Sequence, residues 1–246
     1  MTLSSCRRLT GNTLKVIAAI LMVIDHVGAL LLPEVLVLRA IGRPGFPLFA
    51  FVIAEGCRHT RHRTKHFLSV FTVAAVCQVA FTVATGSYHM NALLTFSVAI
   101  LLCYALDVSK SLCLSGDKAQ CAIGILLFPL AVATVWALTR AVSFDYGFFG
   151  CMAPVFFSLF HPPRTGPCPW SRLDRIEVHV ACLSIGLFLL ARVSHPISYW
   201  MFAALPLLLL YSGKRGRLRM KWFFYIFYPA HFLLILGVGV LLSLLH

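Results

Sequence analysis

The chain has 246 residues, of which 60% are hydrophobic and only 12% charged, with a mean hydropathy of +0.88. Long apolar runs repeat from end to end, which excludes an ordinary soluble domain and leaves no polar stretch long enough for a separate one. The net charge of +13 does not point to nucleic acid, because the basic residues sit between apolar runs, where positive charge orients a membrane protein.

The pattern predicts an all-α, polytopic transmembrane helix bundle forming one integral-membrane domain over residues 1–246. Nine spans fit the hydropathy: 14–32, 35–56, 66–85, 92–106, 119–139, 146–160, 177–192, 196–211 and 222–245. The fourth and sixth have only about fifteen charge-free residues, so the count is eight if one of them is re-entrant. With the N-terminus in the cytoplasm, 17 of the 21 basic residues fall on the inner side. The exceptions are Arg39, Arg43, Arg140 and Arg192, at or near outer ends of spans. A cleaved signal peptide is not expected, since the first apolar run continues past Asp25-His26 with no convincing cleavage site.

That pair in the first span is the leading site signal. Ionisable side chains at mid-membrane depth are costly and usually face the bundle interior or a pathway. Counted from Lys15, His26 lies about 16 Å along the helix, near the middle of a ~30 Å hydrocarbon core. Neighbouring helical positions point about 100° apart, so Asp25 and His26 need separate partners. The economical arrangement gives Asp25 to Arg43 or Arg39 and leaves His26 as a neutral imidazole able to act as a base. A purely structural buried pair is the competing reading, and for Arg43 it is snorkelling to the outer headgroups.

In the second span, Gly42-Arg43-Pro44-Gly45-Phe46-Pro47 cannot make an unbroken helix, and a new helix is expected near Pro47 with its positive end facing a covered cavity. In the last span, His231 lies about 15 Å above Lys221, so two histidines meet at one depth. Pro229 frees a carbonyl one turn earlier. Asn91 and the run from Asp145 to Gly150 are weaker candidates, since a helix cap explains either. Glu55 reads as an interfacial partner of Arg58. His59, His62 and His66 have helical spacing but are interleaved with cations, so no metal is expected there. The nine cysteines contain no C-x-x-C pair, and five fall inside apolar runs, so neither a disulfide framework nor zinc is expected.

Taken in order, Asp25-His26, Gly42-Arg43-x-x-Phe46-Pro47-Leu48-Phe49, Asn91, Tyr146-Gly147-x-x-Gly150 and Tyr228-x-x-His231 resemble the TraX family of conjugative plasmid transfer regions. The resemblance covers most of the chain. It implies an inner-membrane N-acetyltransferase that modifies a pilin subunit from acetyl-CoA, in contact with membrane lipid and without nucleic acid. The second and last spans are also similar to bacterial integral-membrane acyltransferases. On this reading Asp25, His26, Arg43 and His231 are catalytic, and Asn91, Tyr146, Tyr228 and Arg39 bind substrate. The coenzyme's phosphates fall to Arg58, Arg61, Arg63 and Lys65. The segment Asp107–Lys118 and the loop His161–Glu177 carry none of the resemblance. The alternative function is a non-enzymatic membrane component, or pilin chaperone, of the conjugation apparatus. A transporter would need paired broken helices in two repeats, and only one proline-glycine break is evident.

Overall fold

The computed structural model describes residues 8–165, 168–217 and 220–245. Arg7 and Arg219, two of the inner-face cations, lie outside them. Ten α-helices follow in order: α1 (Gly11–Leu30), α2 (Leu36–Gly42), α3 (Gly45–His59), α4 (Arg63–Thr85), α5 (Ala92–Cys113), α6 (Lys118–Ala141), α7 (Gly147–Ser158), α8 (Ile176–Val193), α9 (Leu205–Leu209) and α10 (Lys221–Leu245). Short 3-10 segments occur at Ser171–Leu173 and Pro196–Ala204. Among the described residues there is no strand, only two isolated bridges, Leu9 with Tyr211 and Met90 with Phe144.

Among the described residues six helical segments are long and apolar enough to cross a membrane, fewer than the nine spans of the hydropathy reading, and three further apolar helical stretches, Gly147–Ser158, Pro196–Leu209 and Ile226–Leu242, are shorter. The chain is thus a helical membrane protein. Its outer surface agrees: Ile123, Ile125, Leu126, Leu130 and Trp136 of α6 are all more than half exposed, which water would penalise and lipid does not.

Two spans differ from the hydropathy reading. The fourth continues to Cys113 instead of ending before Asp107, because both charges it gains are partnered. Asp107 takes Arg63, and Lys110 Nζ donates to the carbonyls of Ser158 (2.9 Å) and His161 (3.1 Å). The eighth is chiefly a nine-residue 3-10 helix running into the single turn of α9, where Pro206, without an amide to bond back, interrupts ordinary α-helical bonding.

The chain folds as two compact units, one made of Met1–Val52 with Ala191–His246 and the other of Ile53–Leu190. In the first, α1 packs on α2 and α10. Thr10 caps α1 by accepting from the Thr13 amide at 3.2 Å. Glycines set the α1–α2 approach: a Cβ on Gly42 would fall 2.6 Å from the Cα and N of Asp25, and one on Gly28 would fall 2.7 Å from Leu38 Cβ. In the second, α5 is the central helix, packed by α4, α6 and α7 and buried at Phe96, Ala99, Ile100, Leu102 and Cys103. The eight described cysteines are free thiols.

Candidate functional site

The helix break expected in the second apolar segment is present, but the new helix starts at Gly45, not near Pro47. Arg43 keeps right-handed helical angles and its amide still bonds Arg39 O at 3.1 Å, so only Pro44, which has no amide to offer, interrupts the ladder. Pro47 then falls in the first turn of α3, where a missing donor costs nothing.

This short break directs two guanidiniums at one carboxylate. Arg39 Nη1 donates to Asp25 Oδ2 at 2.8 Å and to the Asp25 carbonyl at 3.1 Å, and Arg43 Nε lies 3.5 Å from Oδ1. The sequence left Asp25 to one arginine or the other; the structure assigns it both. Asp25 and Arg43 are buried, and Arg39 is half-buried. Two cations against one anion leave the corner positively charged. Gly42 makes this possible, since any side chain there would push α2 away from Asp25.

One residue along α1, His26 faces α10. Its Nδ1 lies 2.9 Å from His231 Nε2, with the two rings nearly parallel and 5.2 Å apart. The other nitrogen of His231, Nδ1, lies 3.0 Å from the Phe227 carbonyl. A carbonyl only accepts, so His231 carries its proton on Nδ1 and presents a lone pair at Nε2. His26 Nδ1–H therefore donates to that lone pair, and the lone pair of His26 is on Nε2. The arrangement is a one-way hydrogen-bond chain from His26 through His231 to the α10 backbone, leaving one basic nitrogen at its head. Phe232 meets the His26 ring edge-on at 6.1 Å, and Tyr228 meets His231 at 5.4 Å, which fix the orientation of both rings.

The remaining sequence candidates belong to the second unit. Asn91 caps α5: its Oδ1 accepts from the Leu94 amide at 3.1 Å and its Nδ2 donates to Ala74 O at 3.0 Å. Tyr146 stands at the start of α7 with φ of +61°, the one non-glycine residue at positive φ among those described, and such strain in a bulky residue is held by its surroundings. Thr95 Oγ1 donates to the Asp145 carbonyl beside it at 2.7 Å. Of the four cations assigned to phosphates, two are engaged. Arg58 makes a bidentate pair with Asp174 (3.0 and 2.7 Å) in place of the expected pair with Glu55, and Arg63 pairs with Asp107 and lies 5.1 Å over the Tyr104 ring. Arg61 and Lys65 are exposed.

A family model described as TraX protein matches residues 10–239. The chain belongs to the TraX family. It is also similar to the probable fimbrial assembly protein FimC, serogroup H1, of Dichelobacter nodosus, at 26% identity over 258 residues that cover 94% of this chain and 96% of that protein. No solved structure matches.

Sequence reading of this TraX-family chain passed over a second polar cluster, in the loop after α7 and the start of α8. A pocket of about 400 Å³ there is lined by Arg58, Tyr104, Asp107, Lys110, His161 and Arg164. His161 is buried, and burial, together with the nearby His179 ring and the Arg58 and Lys110 charges, pushes its pKa down to about 2, so the ring is neutral. The signal available in sequence was faint: His161 stands before Pro162-Pro163, and Asp174, in what reads as an ordinary inner loop, is five residues from His179 at the start of the seventh apolar run.

Proposed function

We propose that this protein is a nine-span acetyltransferase of the bacterial inner membrane, its N-terminus cytoplasmic, that transfers an acetyl group from acetyl-CoA to the N-terminal amine of a pilin subunit. The observation that carries the proposal is the His26–His231 hydrogen-bond chain set one residue from a carboxylate bound by two arginines. Membership of the TraX family and the likeness to a fimbrial assembly protein supply the pilus context.

The residues divide the work. His26 Nε2 takes a proton from the attacking amine as its nitrogen bonds to the thioester carbonyl carbon. His231 holds the His26 ring in the tautomer that leaves Nε2 basic, and spreads the charge that forms. Arg39 and Arg43, with one positive charge beyond what Asp25 neutralises, stabilise the oxyanion of the tetrahedral adduct. When the adduct collapses, the C–S bond breaks, and the proton on His26 goes to the departing thiolate of the coenzyme. Asp25 is the positioning residue that keeps both guanidiniums in place. Arg61 and Lys65, which are exposed, suit the coenzyme's phosphates better than Arg58 and Arg63, whose charges are already matched by Asp174 and Asp107.

The test is the intact mass of the cognate pilin from cells carrying the wild-type protein or His26→Ala. One added acetyl mass with the wild type only is expected. Equal masses in both strains, with both proteins present in the membrane, would overturn the reading. That outcome would favour the second function, a non-enzymatic assembly component, to which the fimbrial relative's name also points.

A further inference from the structure

Among the described residues, His161, Asp174 and His179, all within the second unit, bring metal-ligating side chains together. His161 comes from the turn after α7, Asp174 from the end of the 3-10 turn Ser171–Leu173, and His179 from the first turn of α8. One ligand atom from each lies within 4.8 Å of the other two. His179 Nε2 is 2.9 Å from Asp174 Oδ1, and the His161 and His179 rings cross with centroids 4.5 Å apart.

Burial makes the cluster informative. His161 is 6% exposed and His179 3%. His161 Nε2 is sealed from solvent and has no hydrogen-bond partner among the described residues; Glu55 Oε1 lies at 3.9 Å, beyond hydrogen-bond reach. A buried ring nitrogen without a hydrogen bond, on a histidine whose ligand atom lies within 4.8 Å of those of an aspartate and a second histidine, needs a partner that a cation would supply.

We propose that His161, Asp174 and His179 bind a divalent first-row transition metal, zinc above others, with Glu55 or a water as the fourth ligand. Two imidazoles with carboxylate oxygens suit borderline cations of this class and not magnesium or calcium, which take oxygen-rich sets. Ligands at roughly 2.1 Å in a tetrahedron stand about 3.4 Å apart, so the set closes with side-chain movements of about an ångström. Arg58 is compatible with this. It holds Asp174 through both oxygens, but a carboxylate has about four lone-pair sites, and ligating carboxylates are commonly hydrogen-bonded from behind. Lys110 is turned to the Ser158 and His161 carbonyls, and Arg164 to those of Cys57 and Thr60. The ion would staple the turn after α7 to the first turn of α8. The expectation of no metal rested on the cations around His59, His62 and His66 and on the lack of a C-x-x-C pair, not on His161, Asp174 and His179; His59 lies against Glu55 at 3.3 Å, and His66 bonds the Tyr104 hydroxyl at 2.7 Å.

The experiment uses the full-length protein, purified in detergent with a tag free of histidine. Metal content is measured by plasma mass spectrometry, and cobalt(II) is then titrated into chelator-treated protein while visible absorption is followed. About one equivalent of metal per chain is expected in the wild type, with tetrahedral cobalt bands near saturation at one equivalent. His161→Gln and Asp174→Asn should lose both signals at least tenfold, and His89→Ala, at an exposed histidine, should keep them. Helical circular dichroism and a single gel-filtration peak show whether each variant has folded. Wild-type protein with neither bound metal nor cobalt bands overturns the proposal without any variant, as does metal content unchanged in folded His161→Gln.

Discussion

Asp25→Ala is the sharpest perturbation of the first unit, because it removes one charge and leaves a buried and a half-buried one. At an effective dielectric of about 20, the 2.8 Å contact with Arg39 is worth about 6 kcal/mol of Coulomb attraction and the 3.5 Å contact with Arg43 about 5 kcal/mol. Desolvation of the carboxylate offsets much of this, and removing one partner of a buried pair typically costs about 3–5 kcal/mol. For a chain of this size that corresponds to a drop in melting temperature of roughly 10 °C. The protein carries its own reporter, since the free thiols of Cys57, Cys77, Cys103, Cys151 and Cys182 are buried and react with a maleimide dye only on unfolding. The triple variant Asp25→Leu, Arg39→Met, Arg43→Met, which replaces the charges with apolar groups, should recover most of the stability but none of the acetyl transfer. Asp25→Ala melting within about 2 °C of the wild type would refute the reasoning, because the carboxylate would not then be what keeps the guanidiniums buried.

Gly42→Ala forces a methyl group to within 2.6 Å of the Asp25 backbone, where no side chain can give way. It should cost about 1–3 kcal/mol in the same thiol assay. Gly237→Ala, with open space around the new carbon, should be neutral or gain up to about 1 kcal/mol, and a loss there would count against the packing argument. In a transfer assay with acetyl-CoA and a peptide of the pilin N-terminus, His26→Ala should lose roughly 10²–10⁴ in rate. His231→Gln, which keeps an acceptor for His26, should retain more activity than His231→Ala, and equal losses would refute the hydrogen-bond chain. Lys110→Met strips a charged donor from the Ser158 and His161 carbonyls and should destabilise by about 2 kcal/mol in the melt; a change below about 0.5 kcal/mol would mean that those carbonyls are satisfied without it.

Hydropathy and residue type determined much by themselves. The succession of apolar helices and the break after Arg43 are local properties, readable because apolar run length and the missing proline amide act over a few residues. Depth counting even brought His26 and His231 level. Tertiary structure decided the rest. That Arg39 and Arg43 both reach Asp25 depends on Gly42 letting two backbones touch, which no pattern of charges encodes. That His26 bonds His231, 205 residues away, depends on the rotation of α1 and α10 about their own axes. Asp107 and Lys110 looked like the end of a span but lie inside a helix, because partners on other segments neutralise or cap them. His161 and Asp174 looked like loop residues and His179 like the start of a span, yet the three lie together, both histidines buried and Asp174 partly so. Apolar burial is a property of a stretch of chain, whereas a polar side chain's role is set by whichever atom faces it, and that is decided only when the helices pack.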